Sequence, residues 1–163
     1  MLHKFVVTPA GLALDRFLAR YFGVSLTIQV WARAAGYKPG PVLYLEAIGK
    51  KSGAVRPVAL PYFMIDGKML IVGSAGGGPR DPVWATNLRA IPDVTVYVKR
   101  KKKLVRARFS EGEEREKYWR ELVAFNAHYR EYEKKTSRQI PVIVLEDRWT
   151  GDRGIQGCAA RAQ

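Results

Sequence analysis

The fold is decided by residues 41–78, which read PVLYLEAIGKKSGAVRPVALPYFMIDGKMLIVGSAGGG. Three stretches of this segment are rich in β-branched, aromatic and aliphatic residues and are bounded by turn residues, which is the pattern of strands. These stretches are Pro41 to Ile48, Val55 to Ile65 and Met69 to Ser74. Asp66-Gly67 is a strong signal for a hairpin turn, whereas Pro57 and Pro61 confine regular pairing of the middle stretch to an edge or a bulge. The segment therefore predicts consecutive strands joined as hairpins.

Helices are predicted on both sides of this segment. Thr8-Pro9 reads as an N-cap followed by proline at the first helical position, and helical spacing of apolar residues continues to Gly36, with a break or kink at Gly23. A short helix opens at Asp81-Pro82, and more elements follow it. They are a hairpin of Val94 to Val98 and Leu104 to Phe109 around Lys101-Lys102, a helix capped by Ser110 to Glu113, a helix over 126–138, and a strand from Ile140 to Leu145. About six strands that do not alternate with helices predict a small antiparallel barrel with flanking helices, and argue against a doubly wound parallel sheet.

Composition limits the class of protein. The 163 residues correspond to one compact domain, and 28 Lys+Arg against 15 Asp+Glu give a net charge of +13, which predicts an anionic partner: nucleic acid, a membrane surface or a phosphorylated ligand. The single cysteine excludes a disulfide framework or a Cys-rich zinc site. Without a long apolar stretch or a secretory signal, we expect a cytoplasmic protein. We divide it into an N-terminal amphipathic helical segment (1–38), a barrel domain (39–148) and a loosely ordered tail (149–163).

The first candidate site is the cationic turn Gly49-Lys50-Lys51-Ser52-Gly53, with Arg56 three residues beyond it. Three cations, a hydroxyl and the exposed N–H groups of a tight turn suit a phosphate or a carboxylate. Glycine lets the backbone turn sharply and approach the anion closely. The spacing is not that of a P-loop, and a solvated basic hairpin turn would have the same pattern.

The second candidate is the glycine loop Ser74-Ala75-Gly76-Gly77-Gly78, between an apolar strand and the short helix. Consecutive glycines let a planar or anionic group reach backbone amides, and the N-terminus of the following helix favours negative charge. Trp84 and Asn87 share one face of that helix, where they would form a wall and a polar edge of a ring-binding pocket. A flexible connector and a core tryptophan are the alternative interpretations.

The third candidate is the pair Tyr129 and Tyr132, with His128 beside the first. A phenol close to a reacting centre donates a proton or hydrogen-bonds to a carbonyl. Core packing is the alternative for aromatic residues at helical spacing. The spacing around His128 matches no metal-ligand pattern, so we expect no metal site.

Seven of the ten residues from Lys99 to Arg108 are basic. A ribbon of cations could contact nucleic-acid phosphates, but no aromatic stacking platform is interleaved among them. We interpret the segment as a solvated edge hairpin, where lysine also prevents edge-to-edge association.

The N-terminal helical segment also has two interpretations. Its apolar spacing is that of an amphipathic helix docked on the core. Alternatively, Arg16, Arg20 and Arg33 beside apolar Phe, Leu and Trp side chains would fit peripheral contact with a membrane.

Four motifs, taken in order, resemble one family. They are Gly49-Lys50-Lys51-Ser52-Gly53-x2-Arg56, Ser74-x-Gly76-Gly77, Pro82-x-Trp84-x2-Asn87-Leu88 with Pro92, and Tyr129-x2-Tyr132-x3-Thr136-x-Arg138-x-Ile140-Pro141-Val142. The ordered set, over about residues 40 to 147, is similar to the deazaflavin-dependent nitroreductase family, whose members use coenzyme F420 on a split β-barrel. The resemblance therefore implies a mainly β, α+β fold, a split antiparallel β-barrel with an N-terminal helix and flanking helices.

The resemblance also implies roles for individual residues. Lys50, Lys51, Ser52 and Arg56 would hold the phosphate and the acidic tail of F420. The deazaflavin ring would be contacted by Pro57, Val58, Ala59, Leu60, Pro61 and Tyr62 on one strand, by Val72, Gly73, Ser74 and Ala75 at the end of the next, and by Val83, Trp84, Ala85, Thr86 and Asn87 on the short helix. Tyr129 would lie over the ring, and the substrate pocket would contain Asn126, Tyr129 and Tyr132.

The reaction so implied is hydride transfer from reduced F420 to an activated alkene, a quinone or a nitro compound, with Tyr129 or water as proton donor. Ala75 stands where the family often has lysine, and Asn126 where some members have tyrosine, so reduction of nitroaromatic drugs is not assumed. The alternative functions are a flavin mononucleotide (FMN) reductase on the same barrel class and a nucleic-acid-binding barrel that uses Lys99 to Arg108. Split barrels commonly pair, so a homodimer is also considered.

Overall fold

The computed structural model describes residues 8–34, 36 and 38–148. The strands are β1 (Val42–Ile48), β2 (Val55–Pro61), β3 (Phe63–Ile65), β4 (Lys68–Val72), β5 (Asp93–Val98), β6 (Lys101–Phe109) and β7 (Val142–Asp147). The helices are α1 (Pro9–Phe22), α2 (Leu26–Ala34), α3 (Val83–Ala90), α4 (Gly112–Phe125) and α5 (His128–Lys134), with a short 3-10 turn at Ala75–Gly77. The tail expected from residue 149 lies outside the described residues, and the division at residues 38 and 148 stays a prediction.

All seven strands form one antiparallel sheet in the order β2-β1-β5-β6-β7-β4-β3. The two edge strands, β2 and β3, are consecutive in the chain and are joined by Tyr62 alone. One residue spans only about 3.5 Å, so the sheet must curl until its edges come together. The prediction of a split antiparallel barrel is confirmed, although the stretch expected as one strand from Val55 to Ile65 is divided at Tyr62.

The hairpin of β5 and β6 turns at Lys99-Arg100, so the prediction of a turn around Lys101-Lys102 is wrong. Lys99 and Arg100 have φ angles of 47° and 70°, the left-handed pair that a two-residue turn between twisted strands requires. Neither residue is glycine or asparagine, which are the usual signals for this turn. The sequence therefore carried no marker for its position.

The start of α4 differs from the predicted capping box at Ser110 to Glu113. Glu111 is the N-cap residue and makes no side-chain cap. The Ser110 hydroxyl donates instead to the carbonyl of Val142 at 2.9 Å, because Ser110 lies beside the first residue of β7. The following helix, α5, is also shorter than the predicted 126–138.

Strand β1 is buried on both faces, which explains its unbroken apolar sequence. Leu43 and Leu45 belong to the main core inside the barrel, while Val42 and Tyr44 pack outside it against Ala19 of α1. Each fully buried leucine of this kind contributes about 2 kcal/mol to stability. A second core lies between the sheet and the helices α4 and α5, and includes Tyr118, Trp119, Leu122, Tyr129, Val142 and Val144.

The N-terminal helices form as the sequence predicts. The Thr8 hydroxyl accepts a hydrogen bond from the N–H of Gly11 at 3.1 Å, and Gly23 ends α1 in the left-handed conformation, with φ 67°. The buried carboxylate of Asp15 accepts from the Ser25 hydroxyl and the Thr27 N–H, so it binds the N-terminal end of α2. Within the described ranges, no helix is long and apolar enough to cross a membrane.

Candidate functional site

The cationic turn between β1 and β2 is held by its own backbone. The N–H of Gly49 donates to the carbonyl of Ala54 at 2.8 Å, and the N–H of Gly53 donates to the carbonyl of Gly49 at 2.7 Å. A Cβ added at Gly49 would lie 2.8 Å from the Ser52 hydroxyl oxygen, and Gly53 has φ 67°. A side chain at Gly49 would therefore force Ser52 to move, and a non-glycine residue at Gly53 would be strained by its positive φ.

Helix α3 fixes the position of this turn. The side-chain carbonyl Oδ1 of Asn87 accepts a hydrogen bond from the main-chain N–H of Lys50 at 3.2 Å, and Asn87 itself is only 4% exposed. A buried amide side chain is stable only when its polar atoms have partners. Asn87 therefore connects the cationic turn to the helix that was expected to wall the cofactor ring.

The charges of the turn are available to a ligand. The side chains of Lys50, Lys51 and Arg56 are exposed, and no carboxylate in the described part of the chain lies within ion-pair distance of any of them. Three such cations at one end of a barrel attract an anion over several ångströms.

The basic hairpin is different, because three of its seven cations are paired with acidic residues. The pairs are Lys103 with Asp147 at 3.2 Å, Arg106 with Asp93 at 3.3 Å, and Arg108 with Glu146 and Glu114, each at 2.6 Å. Cations neutralised in this way have less charge to offer to nucleic-acid phosphates. The pairing supports the interpretation of this segment as a surface hairpin.

The glycine loop after β4 packs tightly against two other segments. A Cβ added at Gly73 would lie 2.7 Å from the Pro141 ring and 3.6 Å from the Cβ of Ala85. A Cβ added at Gly77 would lie 2.8 Å from the carbonyl oxygen of Tyr132. The loop is therefore a fixed part of the fold, packed between α3, α5 and the start of β7.

Arg138 is a residue of this region to which the sequence analysis gave no role. Its guanidinium donates to the carbonyls of Gly73, Ser74 and Gly78 and to the carboxylate of Asp81. The motif that contains Arg138 was evident in the sequence, but the partners lie 57 to 65 residues away along the chain. No local pattern connects residues at that separation.

The expected wall of the ring site comes from β2 and α3, which meet in the main core. Leu60, Tyr62 and Ala85 are buried members of that core, and Val58 and Trp84 pack against it. Trp84 is half-buried and packs against this core from α3. The strand and the helix thus converge beside the glycine loop.

A cavity of about 380 Å³ opens where the two sheet edges meet. It is lined mainly by apolar and aromatic residues, among them Pro61, Tyr62 and Phe125, and it includes Asn126 and Tyr129. Tyr129 is only 6% exposed, and its ring centroid lies 5.8 Å from that of Phe63 and 5.9 Å from that of Trp119. Tyr129 therefore belongs both to the second core and to the wall of the cavity.

The predicted site residues are spread along β2. The cationic turn lies at its Val55 end, where Asn87 joins it to α3, and the cavity with Tyr62, Asn126 and Tyr129 lies beyond its Pro61 end. The glycine loop contacts α3 where Gly73 meets Ala85. Tyr132 does not line that cavity, and its carbonyl lies against the glycine loop. In the described ranges, no group of three or more His, Cys, Asp or Glu side chains could hold a metal ion.

Comparison with known proteins gives concordant matches. A model of the family described as F420H(2)-dependent quinone reductase matches residues 28–147. An F420H(2)-dependent quinone reductase of Mycobacterium tuberculosis strain H37Rv is 35% identical over 147 residues, which cover 83% of this chain and 99% of that protein.

Solved structures agree with these matches. A chain described as an F420-H2 dependent reductase is 42% identical, with a TM-score of 0.57, and the match covers 64% of this chain and 92% of that one. A second chain, described as a domain-swapped dimer, is 32% identical with a TM-score of 0.59, and the match covers 85% of this chain and 100% of that one.

Proposed function

This chain belongs to the F420H(2)-dependent quinone reductase family, and we propose that it binds coenzyme F420 at the cationic turn and the glycine loop and reduces a quinone in the adjoining cavity. The resemblance drawn from the sequence is confirmed at the level of the family, an oxidoreductase family whose cofactor is F420. When bound, the reduced deazaflavin supplies a hydride from C5. The protein supplies binding, orientation and the surroundings of the acceptor.

The observation that carries the proposal is the cationic turn, whose three charges have no carboxylate partner among the described residues and which a hydrogen bond joins to α3. Coenzyme F420 has a phosphodiester and a glutamate tail, so it presents several negative charges. Lys50, Lys51 and Arg56 have no carboxylate partner among the described residues, and the turn also offers the Ser52 hydroxyl. The set of donors therefore fits the anionic part of the cofactor.

The flat part of the cofactor fits the neighbouring surface. Gly73 lets the end of β4 approach Pro141 and Ala85 more closely than any side chain would allow. That close approach keeps the strand end free of side-chain bulk, close to the helix that carries the half-buried Trp84. In this proposal, β2 lines one edge of the ring and α3 the other.

The acceptor would enter the apolar cavity beside Tyr62 and Tyr129. A quinone is a planar, mostly apolar molecule with two carbonyl oxygens, and cavities of this kind bind such ligands through apolar walls and a few polar groups. Asn126 and Tyr129 are polar groups of that kind at this cavity. We assign to the Tyr129 hydroxyl the role of hydrogen-bonding the acceptor and passing it a proton. An unperturbed phenol, with pKa about 10, is a weak acid, so water is the alternative proton donor.

The proposal is tested by cofactor binding. Purified protein is titrated with F420 and, separately, with FMN, while tryptophan fluorescence is followed. We expect the Lys51→Ala/Arg56→Ala double variant to weaken F420 binding about 10²-fold, since each of the two lost charge-assisted contacts is worth about 1.5 kcal/mol.

The matched control is Lys101→Ala/Lys102→Ala, which removes the same charge from the basic hairpin. We expect it to change the affinity about twofold, through long-range attraction alone. Wild-type protein that binds FMN and not F420, or a turn variant that binds F420 as tightly as wild type, would contradict the proposal.

The expected homodimer is retained as a proposal. The solved relative described as a domain-swapped dimer supports it. Light scattering of the purified chain across a range of concentrations tests it, and a mass of one chain at every concentration would contradict it.

Contact of the N-terminal helices with a membrane also stays a proposal. Phe17, Phe22 and Trp31 each expose about half of their surface, and the guanidinium of Arg100 lies 5.2 Å from the Phe22 ring centroid. Flotation with anionic liposomes, comparing wild type with Phe17→Ser/Phe22→Ser, tests this contact. Equal flotation of the two proteins would contradict it.

A further inference from the structure

The guanidinium of Arg138 donates hydrogen bonds to three main-chain carbonyls in and beside the glycine loop. Its Nη2 donates to the carbonyl of Ser74 at 2.7 Å and to that of Gly73 at 3.1 Å, and its Nε donates to the carbonyl of Gly78 at 2.9 Å. Its Nη1 donates to the Asp81 carboxylate at 2.7 Å. The Arg138 side chain is 14% exposed, so these bonds form largely away from water.

We propose that Arg138 is a positioning residue for the cofactor, because it turns the amides of the glycine loop toward the cofactor site; this inference rests on the proposed binding of F420. In a planar trans peptide, the carbonyl of one residue and the N–H of the next point in opposite directions. The carbonyls of Gly73 and Ser74 face Arg138. The N–H groups of Ser74 and Ala75 therefore face away from it.

These N–H groups are available to a ligand. In the described part of the chain, no acceptor takes a hydrogen bond from the N–H of Ser74, Ala75 or Gly76. Ser74 is right-handed, with φ −69° and ψ −35°, and Ala75 has φ 46°. Successive residues of opposite hand bring their N–H groups into one concavity that binds an anion or a carbonyl oxygen. A deazaflavin ring has carbonyl oxygens that can accept hydrogen bonds from the N–H groups of this concavity.

The loop conformation requires support from outside. A non-glycine residue with positive φ, such as Ala75, is held in a conformation that is costly by itself. Arg138 supports this conformation by hydrogen bonds to the carbonyls of Gly73, Ser74 and Gly78. It can do so because a guanidinium is planar and has five N–H donors in a fixed arrangement. Lysine, with a single nitrogen, would reach only part of the set. Asp81 completes the arrangement by holding the guanidinium at the start of α3.

The test measures F420 affinity and folding stability for two substitutions, Arg138→Lys and Arg138→Ala. The dissociation constant for F420 is measured by fluorescence titration, and the Tm is measured on the cofactor-free protein. We expect about a tenfold weaker affinity for Arg138→Ala and a smaller loss for Arg138→Lys. We further expect about 10 mM methylguanidinium to restore part of the affinity of Arg138→Ala without changing that of wild type, because it refills the vacated site.

The matched control is Arg108→Lys, which also breaks a guanidinium cluster, but one whose partners are Glu114 and Glu146 and not the glycine loop. It should lower the Tm and leave the F420 affinity unchanged. Either of two results would overturn the inference: Arg138 variants that lose Tm but bind F420 as wild type does, or Arg108→Lys weakening the affinity as strongly as Arg138→Lys. If wild-type protein itself fails to bind F420, the proposed function falls and this inference with it.

Discussion

The main-chain N–H of Lys50 and the side-chain carbonyl of Asn87 are joined by a hydrogen bond of 3.2 Å. Lys50 lies in the cationic turn and Asn87 in α3, so one contact sets the distance between the proposed anion-binding and ring-binding parts of the site. Asn87 is buried and Lys50 is exposed, so the helix side of the contact is the side shielded from competing water. The contact gives the two segments a fixed relative position before any cofactor binds.

Replacing Asn87 with alanine is expected to weaken F420 binding about tenfold while costing only about 1 kcal/mol of stability, the usual worth of one hydrogen bond. The reason is that the cationic turn loses its attachment to α3. Binding is measured by fluorescence titration and stability by urea unfolding.

The control for Asn87→Ala is Leu88→Ala, on the same helix at a fully buried residue. Loss of that side chain should cost more stability, about 2 to 5 kcal/mol, with a smaller effect on affinity. If affinity follows stability across the two variants, the bond between Lys50 and Asn87 has no special role in binding.

Local signals in the sequence were enough to predict most helices, strands and turns, whereas the arrangement of the site depends on contacts between distant segments. The cap at Thr8, the left-handed Gly23 and the Asp66-Gly67 turn were predictable because each depends on neighbouring residues. The hairpin at Lys99-Arg100 was not, since cations occupy the positions where glycine or asparagine would mark a turn. The count of strands and their hairpin turns predicted an antiparallel barrel, but the order of its strands was not predicted, because pairings such as β1 with β5 join distant segments.

The site residues were predicted from the four motifs, but the hydrogen bonds that hold those residues in place were not predicted. The bond from Lys50 to Asn87 spans 37 residues, and the bonds of Arg138 span more. No propensity or periodicity relates residues so far apart. A buried asparagine on an apolar helix face was the available signal, since such an amide must find a partner.

Gly77 and Gly76 form a matched pair for measuring how rigid the glycine loop must be. Both have positive φ, but a Cβ at Gly77 would lie 2.8 Å from the Tyr132 carbonyl oxygen, whereas a Cβ at Gly76 meets nothing within 4 Å. Gly76→Ala should therefore cost about 1 kcal/mol, the price of a left-handed alanine. Gly77→Ala should cost about 2 kcal/mol or more, because its backbone neighbour must move. Urea unfolding measures both, and equal costs would show that the contact with α5 is loose.

Glu114 makes stability depend on acid pH. Hydrogen bonds from Arg108 lower the pKa of Glu114 from 4.5 to about 2. The unfolded chain therefore binds this proton more readily than the folded chain does, so the contribution of Glu114 is complete above pH 4.5 and is lost as the pH falls toward 2. The pair is about one-third exposed, and solvent screening limits the loss to about 1 kcal/mol.

The measurement for Glu114 is urea unfolding between pH 2 and pH 6. Glu114→Gln should lower stability at pH 6 and flatten the decline below pH 4.5. Glu113→Gln, at the neighbouring exposed carboxylate, should leave the decline as steep as in wild type. A decline of unchanged steepness in Glu114→Gln would mean that other carboxylates cause it.

Tyr129→Phe separates the two roles of this residue, in the core and at the cavity. Phenylalanine keeps the ring contacts with Phe63 and Trp119, so the packing of the core and the F420 affinity should change little. The hydroxyl is lost, and with it the proposed hydrogen bond and proton for the acceptor. We expect kcat with a soluble quinone to fall about 10²-fold, the lower end of what a general acid contributes.

Tyr118→Phe is the matched control: Tyr118 lies in the same core, and its hydroxyl donates to Glu114 at 3.2 Å, away from the cavity. It should lose some stability and keep its kcat, whereas an unchanged kcat in Tyr129→Phe would leave water as the proton donor and Tyr129 as a residue of the core alone.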